Sequence, residues 1–113
     1  MSKKEQENFL EKIPQRVDRF KWTSDENGIV TIEMENRGFM KRATQILLKK
    51  PLTSYIHLDE NGSFIWNLID GKTNLIDIGT RVEEHFGDAC QPLYERLSQF
   101  IKSLETFGFI TLS

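Results

Sequence analysis

The sequence has one cysteine, Cys90, so it cannot form an intrachain disulfide, and a reducing compartment suits it. It has two histidines, His57 and His85. With Cys90 they make three soft ligands on three separate elements, where a structural zinc site takes four. No metal and no cofactor is therefore expected. His85 and Cys90 flank a helix break and nothing nearby orients the histidine, so the pair does not read as a base and nucleophile. The seven glycines are isolated, which excludes a glycine-rich phosphate loop. Asp59 and Glu60 are the one close carboxylate pair of interest, and a helix cap followed by an acidic first turn accounts for both. No apolar run approaches the roughly 20 residues of a membrane span. The charged start (Lys3, Lys4, Glu5, Glu7) has no apolar stretch behind it, so no signal peptide is expected. Basic residues are not in excess either: 15 Lys and Arg face 17 Asp and Glu, for a net charge of -2. That argues against a nucleic-acid binder. These absences leave a cytoplasmic, non-catalytic binding or assembly protein.

What the chain does have is bulk. Eight Phe and two Trp in 113 residues supply a core for one domain. The densest stretch runs from Ser54 to Thr73. Residues 53–58 alternate as a strand, with Tyr55 and His57 on one side and Ile56 and Leu58 on the other. Asp59 reads as an N-cap. Phe64, Ile65, Trp66, Leu68 and Ile69 then crowd a buried helix, Asp70-Gly71 ends it, and Thr73 is placed to cap the next. A strand feeding a buried helix and then a second helix is the centre of a winged-helix-like domain.

Upstream, residues 20–23 and 29–34 read as strands joined at Asn27-Gly28, a hairpin signal. Val30, Ile32 and Met34 form the apolar face. Residues 39–50 read as a short inserted helix, closed by Pro51. Residues 1–14 read as an N-terminal extension, a frayed tail with a helical turn that Pro14 ends. The domain proper is expected over 15–113. Downstream, Leu75, Ile78, Val82 and Phe86 mark a helix, interrupted by Gly79 and stopped by Gly87. Pro92 opens the last helix, whose stripe is Leu93, Leu97, Phe100, Ile101, Leu104 and Phe107. Gly108 ends it, and a short strand follows over 109–112. The fold class is α+β: a three-stranded antiparallel sheet packed on three helices, with the extension and an extra short helix before the third strand.

The run Ile56-His57-Leu58-Asp59-Glu60-Asn61-Gly62-Ser63-Phe64-Ile65-Trp66 resembles the PqqD-like family. So do Ile69-Asp70-Gly71-Lys72-Thr73, Ile78, Phe86-Gly87, Leu93, Arg96-Leu97, Phe100, Leu104 and Gly108-Phe109-Ile110. The resemblance covers residues 53–112 and rests on order and spacing together. It implies a peptide chaperone that recognises the leader of a ribosomally made precursor peptide. Such a domain holds the leader as an added strand and presents it to a modifying enzyme of the radical SAM type. Carried onto this chain, the peptide site is Thr53, Ser54, Tyr55, Ile56, His57 and Leu58 on the strand, with Arg96, Gln99, Phe100 and Ser103 on the last helix. The extension and the insert depart from the short members of the family.

Two other readings compete. A winged-helix regulator would bind DNA, but the helix that would enter a groove carries Glu83, Glu84 and His85 with Arg81 the one nearby cation, and phosphate contacts need several Lys or Arg on one face. An assembly module would use Phe9, Trp22 and the insert helix to build a homodimer.

Overall fold

The computed structural model describes residues 8–35 and 53–113. The inserted helix expected over 39–50 lies outside them. The hairpin forms where Asn27-Gly28 places it. The Asp25 carboxylate accepts the N–H groups of Asn27 at 2.8 Å and Ile29 at 2.9 Å, and Gly28 takes a φ of 81°. Strand β2 (Trp22–Ser24) pairs antiparallel with β3 (Val30–Glu35), Trp22 opposite Ile32. Strand β4 (Thr53–His57) pairs with the other side of β3, Ile32 opposite Ile56 and Thr31 opposite His57. The order is β2-β3-β4, the expected three-stranded sheet. Its inner face carries Val30 and Ile32, both fully buried, with Leu58 just past β4. Strand β2 starts later than the sequence suggests, because Phe20 turns away to meet Phe109 edge to face, ring centroids 4.8 Å apart.

Helix α1 (Glu60–Leu68) begins at Asp59, whose Oδ1 accepts the Gly62 N–H at 2.7 Å. It buries Ile65 and Trp66, and the chain then turns at Asp70-Gly71. The Asp70 carboxylate accepts the N–H groups of Lys72 and Thr73 and the Thr73 hydroxyl. The Lys72 contact does most to hold this carboxyl below the usual aspartate range. The turn's added stability is thus present while the carboxylate is charged and is lost as pH falls through its lowered pKa. Because Thr73 is engaged there, Asn74 caps helix α2 (Leu75–Phe86) instead of Thr73, accepting the Asp77 N–H at 2.9 Å.

Helix α2 buries Leu75, Ile78 and Val82. Gly79, out of place by propensity, has a packing reason: a Cβ there would stand 2.8 Å from the Tyr94 ring, so glycine is what lets α2 lie close to the last helix. After a short 3₁₀ turn (Gly87–Cys90), helix α3 (Leu93–Phe107) starts at Pro92, which occupies the cap rather than the first turn. It buries Leu93, Leu97, Ile101 and Leu104, while Phe107 is 52% exposed and stacks on Phe109. No helix among the described residues is long and apolar enough to cross a membrane.

The N-terminal segment departs most from expectation. Residues 8–10 are helical, but Pro14 is the first residue of a strand, β1 (Pro14–Arg16). It pairs with β5 (Ile110–Leu112) in a separate two-stranded ribbon. Proline is tolerated at a strand's first residue. Ile13 and Ser113 exchange backbone hydrogen bonds at 2.8 and 3.1 Å, and the carbonyls of Lys12 and Pro14 accept from Leu75 and Gly71. Phe9 is buried, with Lys102 over its ring. Residues 8–14 therefore pack on the domain rather than fray from it.

Two residues join sheet to helices. Trp66 is 1% exposed, meets Trp22 edge to face, and lies 5.9 Å from the Arg16 guanidinium. Ser63 is buried, and its hydroxyl accepts the Val30 N–H at 2.8 Å and donates to the Leu58 carbonyl at 3.5 Å. Trp66→Ala is expected to cost about 3–5 kcal/mol in a denaturant melt. Ser63→Ala leaves the Val30 N–H buried without its acceptor and is expected to cost about 1–3 kcal/mol. A loss under about 0.5 kcal/mol in either variant contradicts the role given to that residue.

Candidate functional site

The backbone of β4 has an inner and an outer side, and the register says which residues face each. The Leu58 N–H donates to the Val30 carbonyl at 2.9 Å, so Leu58 faces β3. In an antiparallel ladder alternate residues face the same partner. Ser54, Ile56 and Leu58 therefore turn their backbone groups toward β3, and Thr53, Tyr55 and His57 turn theirs outward. Strand β3 agrees: the Glu33 N–H goes the other way, to the Lys21 carbonyl on the β2 side. Among the described residues no strand pairs with the outer side of β4. The Tyr55 side chain is 58% exposed, and His57 is also exposed, its Nδ1 2.9 Å from the Thr31 Oγ1 across the strands.

A cleft of about 320 Å³ lies between the first turn of α1 and helix α3. Its wall begins at Asp59, two residues past the end of β4. Arg96, Gln99, Phe100 and Ser103 all line it, at the i, i+3, i+4, i+7 spacing that puts them on one helix face. The structure thus brings the four α3 candidates together in one depression. None of the strand candidates Thr53, Ser54, Tyr55, Ile56, His57 and Leu58 lines it: Thr53, Tyr55 and His57 turn their backbone groups outward, and Ser54, Ile56 and Leu58 turn theirs toward β3. Leu58 is in the core, and Ile56 is half-buried on the inner face.

The floor is apolar, built by Ile65, Val82, Leu93 and Leu97. Gly62 also belongs to it: a Cβ there would stand 3.1 Å from the Phe100 ring, so the bare glycine gives Phe100 its place. The rim is polar. Arg96 donates to the Ala89 carbonyl at 3.1 Å, and among the described residues no carboxylate pairs with it. The Ser103 hydroxyl is spent on its own helix, donating to the Gln99 carbonyl at 2.9 Å. Sequence reasoning missed Asn61, Gly62, Ile65 and Cys90 as lining residues. Asn61, Gly62 and Ile65 lie within the run that carries the resemblance, which is the signal for the turn opposite; carrying the site onto the strand and the last helix alone leaves them out.

The competing chemistries have less to stand on. Cys90 is buried and its Sγ donates to the Gly87 carbonyl, while the His85 ring stacks on Phe64 at 4.3 Å. Among the described residues no three His, Cys, Asp or Glu cluster in a way that would hold a metal ion. Phe9 and Trp22, the residues offered for a homodimer, are engaged inside the chain.

A strand with no partner on its outer side among the described residues, followed by a helix whose first turn walls an apolar cleft with a polar rim, defines a small binding module. The chain belongs to the PqqD family: the family model described as coenzyme PQQ synthesis protein D matches residues 44–110. No curated protein and no solved structure matches. Proteins of this family are non-catalytic peptide-binding chaperones, and this chain is not an enzyme.

The parity of β4 is testable on the protein alone. Ile56→Pro removes a ladder bond to β3, whereas Tyr55→Pro removes an outward N–H. In denaturant melts Ile56→Pro is expected to lose about 1 kcal/mol more than Tyr55→Pro. The reverse order would show that the edge faces the other way.

Proposed function

We propose that this protein binds the leader of a ribosomally made precursor peptide and presents it to a modifying enzyme of the radical SAM type in the cytoplasm. The leader adds as an antiparallel strand to the outer side of β4, bonded to Thr53, Tyr55 and His57. Main-chain hydrogen bonds supply affinity, and the side chains that drop into the cleft supply selection. The observation that supports this reading is that among the described residues no strand pairs with the outer side of β4, and that Asp59, two residues past β4, belongs to the wall of the cleft on α3. At about 320 Å³ the cleft is at the small end of ligand sites, which run to about 1,000 Å³, and suits side chains of an extended segment. Phe100 is the apolar contact, and Arg96 and Gln99 are the polar ones.

The alternative, a DNA-binding regulator, requires a cationic face. Arg81 on α2 is followed by exposed Glu83 and Glu84, which weakens that reading. The test is a titration of a fluorescent peptide matching the leader of a candidate precursor peptide. Tyr55→Pro and Phe100→Ala are each expected to weaken binding about tenfold or more while circular dichroism shows a folded protein. Raising salt from about 50 to about 200 mM is expected to change the peptide affinity only modestly. Tight duplex DNA binding that falls steeply over that range, with no peptide binding, would contradict the proposal.

A further inference from the structure

The charged residues that line the cleft are Asp59, before α1, and Arg96, on α3, and they stand at different places along it. A Cβ on Gly62 would lie 3.1 Å from both the Asp59 Oδ1 and the Phe100 ring, so Asp59 sits beside Phe100. That oxygen is engaged as the cap of α1, accepting the Gly62 N–H. Arg96 is one helical turn back from Phe100, and its guanidinium reaches the Ala89 carbonyl, next to Cys90. A guanidinium presents five N–H donors in a planar fork that fits a carboxylate. Among the described residues the Ala89 carbonyl is the hydrogen-bond partner of Arg96, and no carboxylate pairs with it.

Spacing turns these positions into a pattern. Arg96 and Phe100 are four residues apart on one face of α3, which is about 6 Å along the helix axis. In an extended chain, side chains two residues apart point the same way and are separated by about 6.6 Å. An extended segment lying along α3 therefore sets one side chain on Phe100 and, two residues away, another at Arg96. Phe100 and the aliphatic floor suit an apolar side chain. At Arg96 a carboxylate gains charge-assisted hydrogen bonds, and Lys or Arg is repelled.

We propose that the cleft selects extended peptide segments carrying a large apolar residue and, two residues from it, Asp or Glu, with Arg96 as the residue that reads the acid. This deepens the peptide reading above and rests on it, but it uses the cleft and not the edge of β4. Arg96 is exposed, so its pair with the acid is a rim contact that favours Asp over Asn by a factor of about two to five. Against Lys, where attraction becomes repulsion, the preference is about tenfold or more.

The test is selection of a displayed library of random short peptides on the folded chain, followed by titration of single labelled winners. The wild-type chain is expected to enrich an apolar residue with Asp or Glu two positions away. Replacing that acid by Asn or Lys is expected to weaken binding by the factors above, and the differences shrink at about 1 M salt, where the Debye length is about 3 Å. Arg96→Glu is expected to enrich Lys or Arg at the same spacing and to reverse the order of the Asp and Lys peptides. An Arg96 that only holds the turn at Ala89 would, when replaced, weaken all peptides alike and leave their order unchanged. Wild-type winners with no acid at this spacing, or an Arg96→Glu chain that circular dichroism shows folded and that still prefers the acid, would overturn the proposal while leaving the peptide reading standing. A wild-type chain on which no peptide enriches would overturn both.

Discussion

The arrangement depends on one buried hydroxyl. At the point where β3 begins and β4 ends, the Val30 N–H does not go to the neighbouring strand. It goes to Ser63, in the first turn of α1, and the same hydroxyl reaches the Leu58 carbonyl. The bond fastens the start of α1 to the end of the sheet. An unpaired buried N–H costs more than a hydrogen bond gains, so the contact is enforced by what its absence would leave behind. Asp59 caps the helix at the same place. Together they fix the first turn of α1 as one wall of the cleft, directly beyond the open strand. Trp66, one helical turn on, locks the other end of α1 against Trp22 and the N-terminal ribbon.

That geometry divides binding into two kinds of contact. The outer side of β4 offers main-chain groups at alternate residues, which any extended segment can use. The cleft offers a floor of aliphatic side chains and Phe100, with Arg96 at its rim lacking a carboxylate partner among the described residues. Main-chain pairing is indifferent to sequence and the cleft is not, so the pair gives selective recognition without a large interface. The helix that a DNA-binding fold would use to read bases is instead acidic toward its end and packed through Gly79 against Tyr94.

Much of this was legible where local chemistry decides the outcome. Asn27-Gly28, the Asp59 cap and the apolar stripes of α2 and α3 can be recognised in short windows, because each depends on neighbours in sequence; Asp70-Gly71 marks a turn, but α1 has already ended at Leu68, with Ile69 extended at its C-cap. The ribbon of β1 and β5 could not: Ile13 and Ser113 are 100 residues apart, and Pro14 looks like a helix stop until its partner is known. The choice between Thr73 and Asn74 as cap turned on whether the Asp70 carboxylate would take Thr73 first. Phe107 fits the α3 stripe by spacing but lies in the last turn, where the core has ended. Ser63 gave no signal among its apolar neighbours. The parity of β4 had to wait for the Leu58–Val30 bond. On the cleft, Arg96, Gln99, Phe100 and Ser103 were found from the resemblance and their helical spacing, while the facing residues on α1 were not.

The most direct measurement is amide hydrogen exchange at single-residue resolution, on dilute protein with and without the leader peptide. Ile56 and Leu58, which bond to β3, should be protected in both states. Tyr55 and His57 should exchange fast alone and become protected when the peptide is present. If Tyr55 and His57 exchange equally fast in both states while new protection appears on α2, strand addition at the outer side of β4 is contradicted.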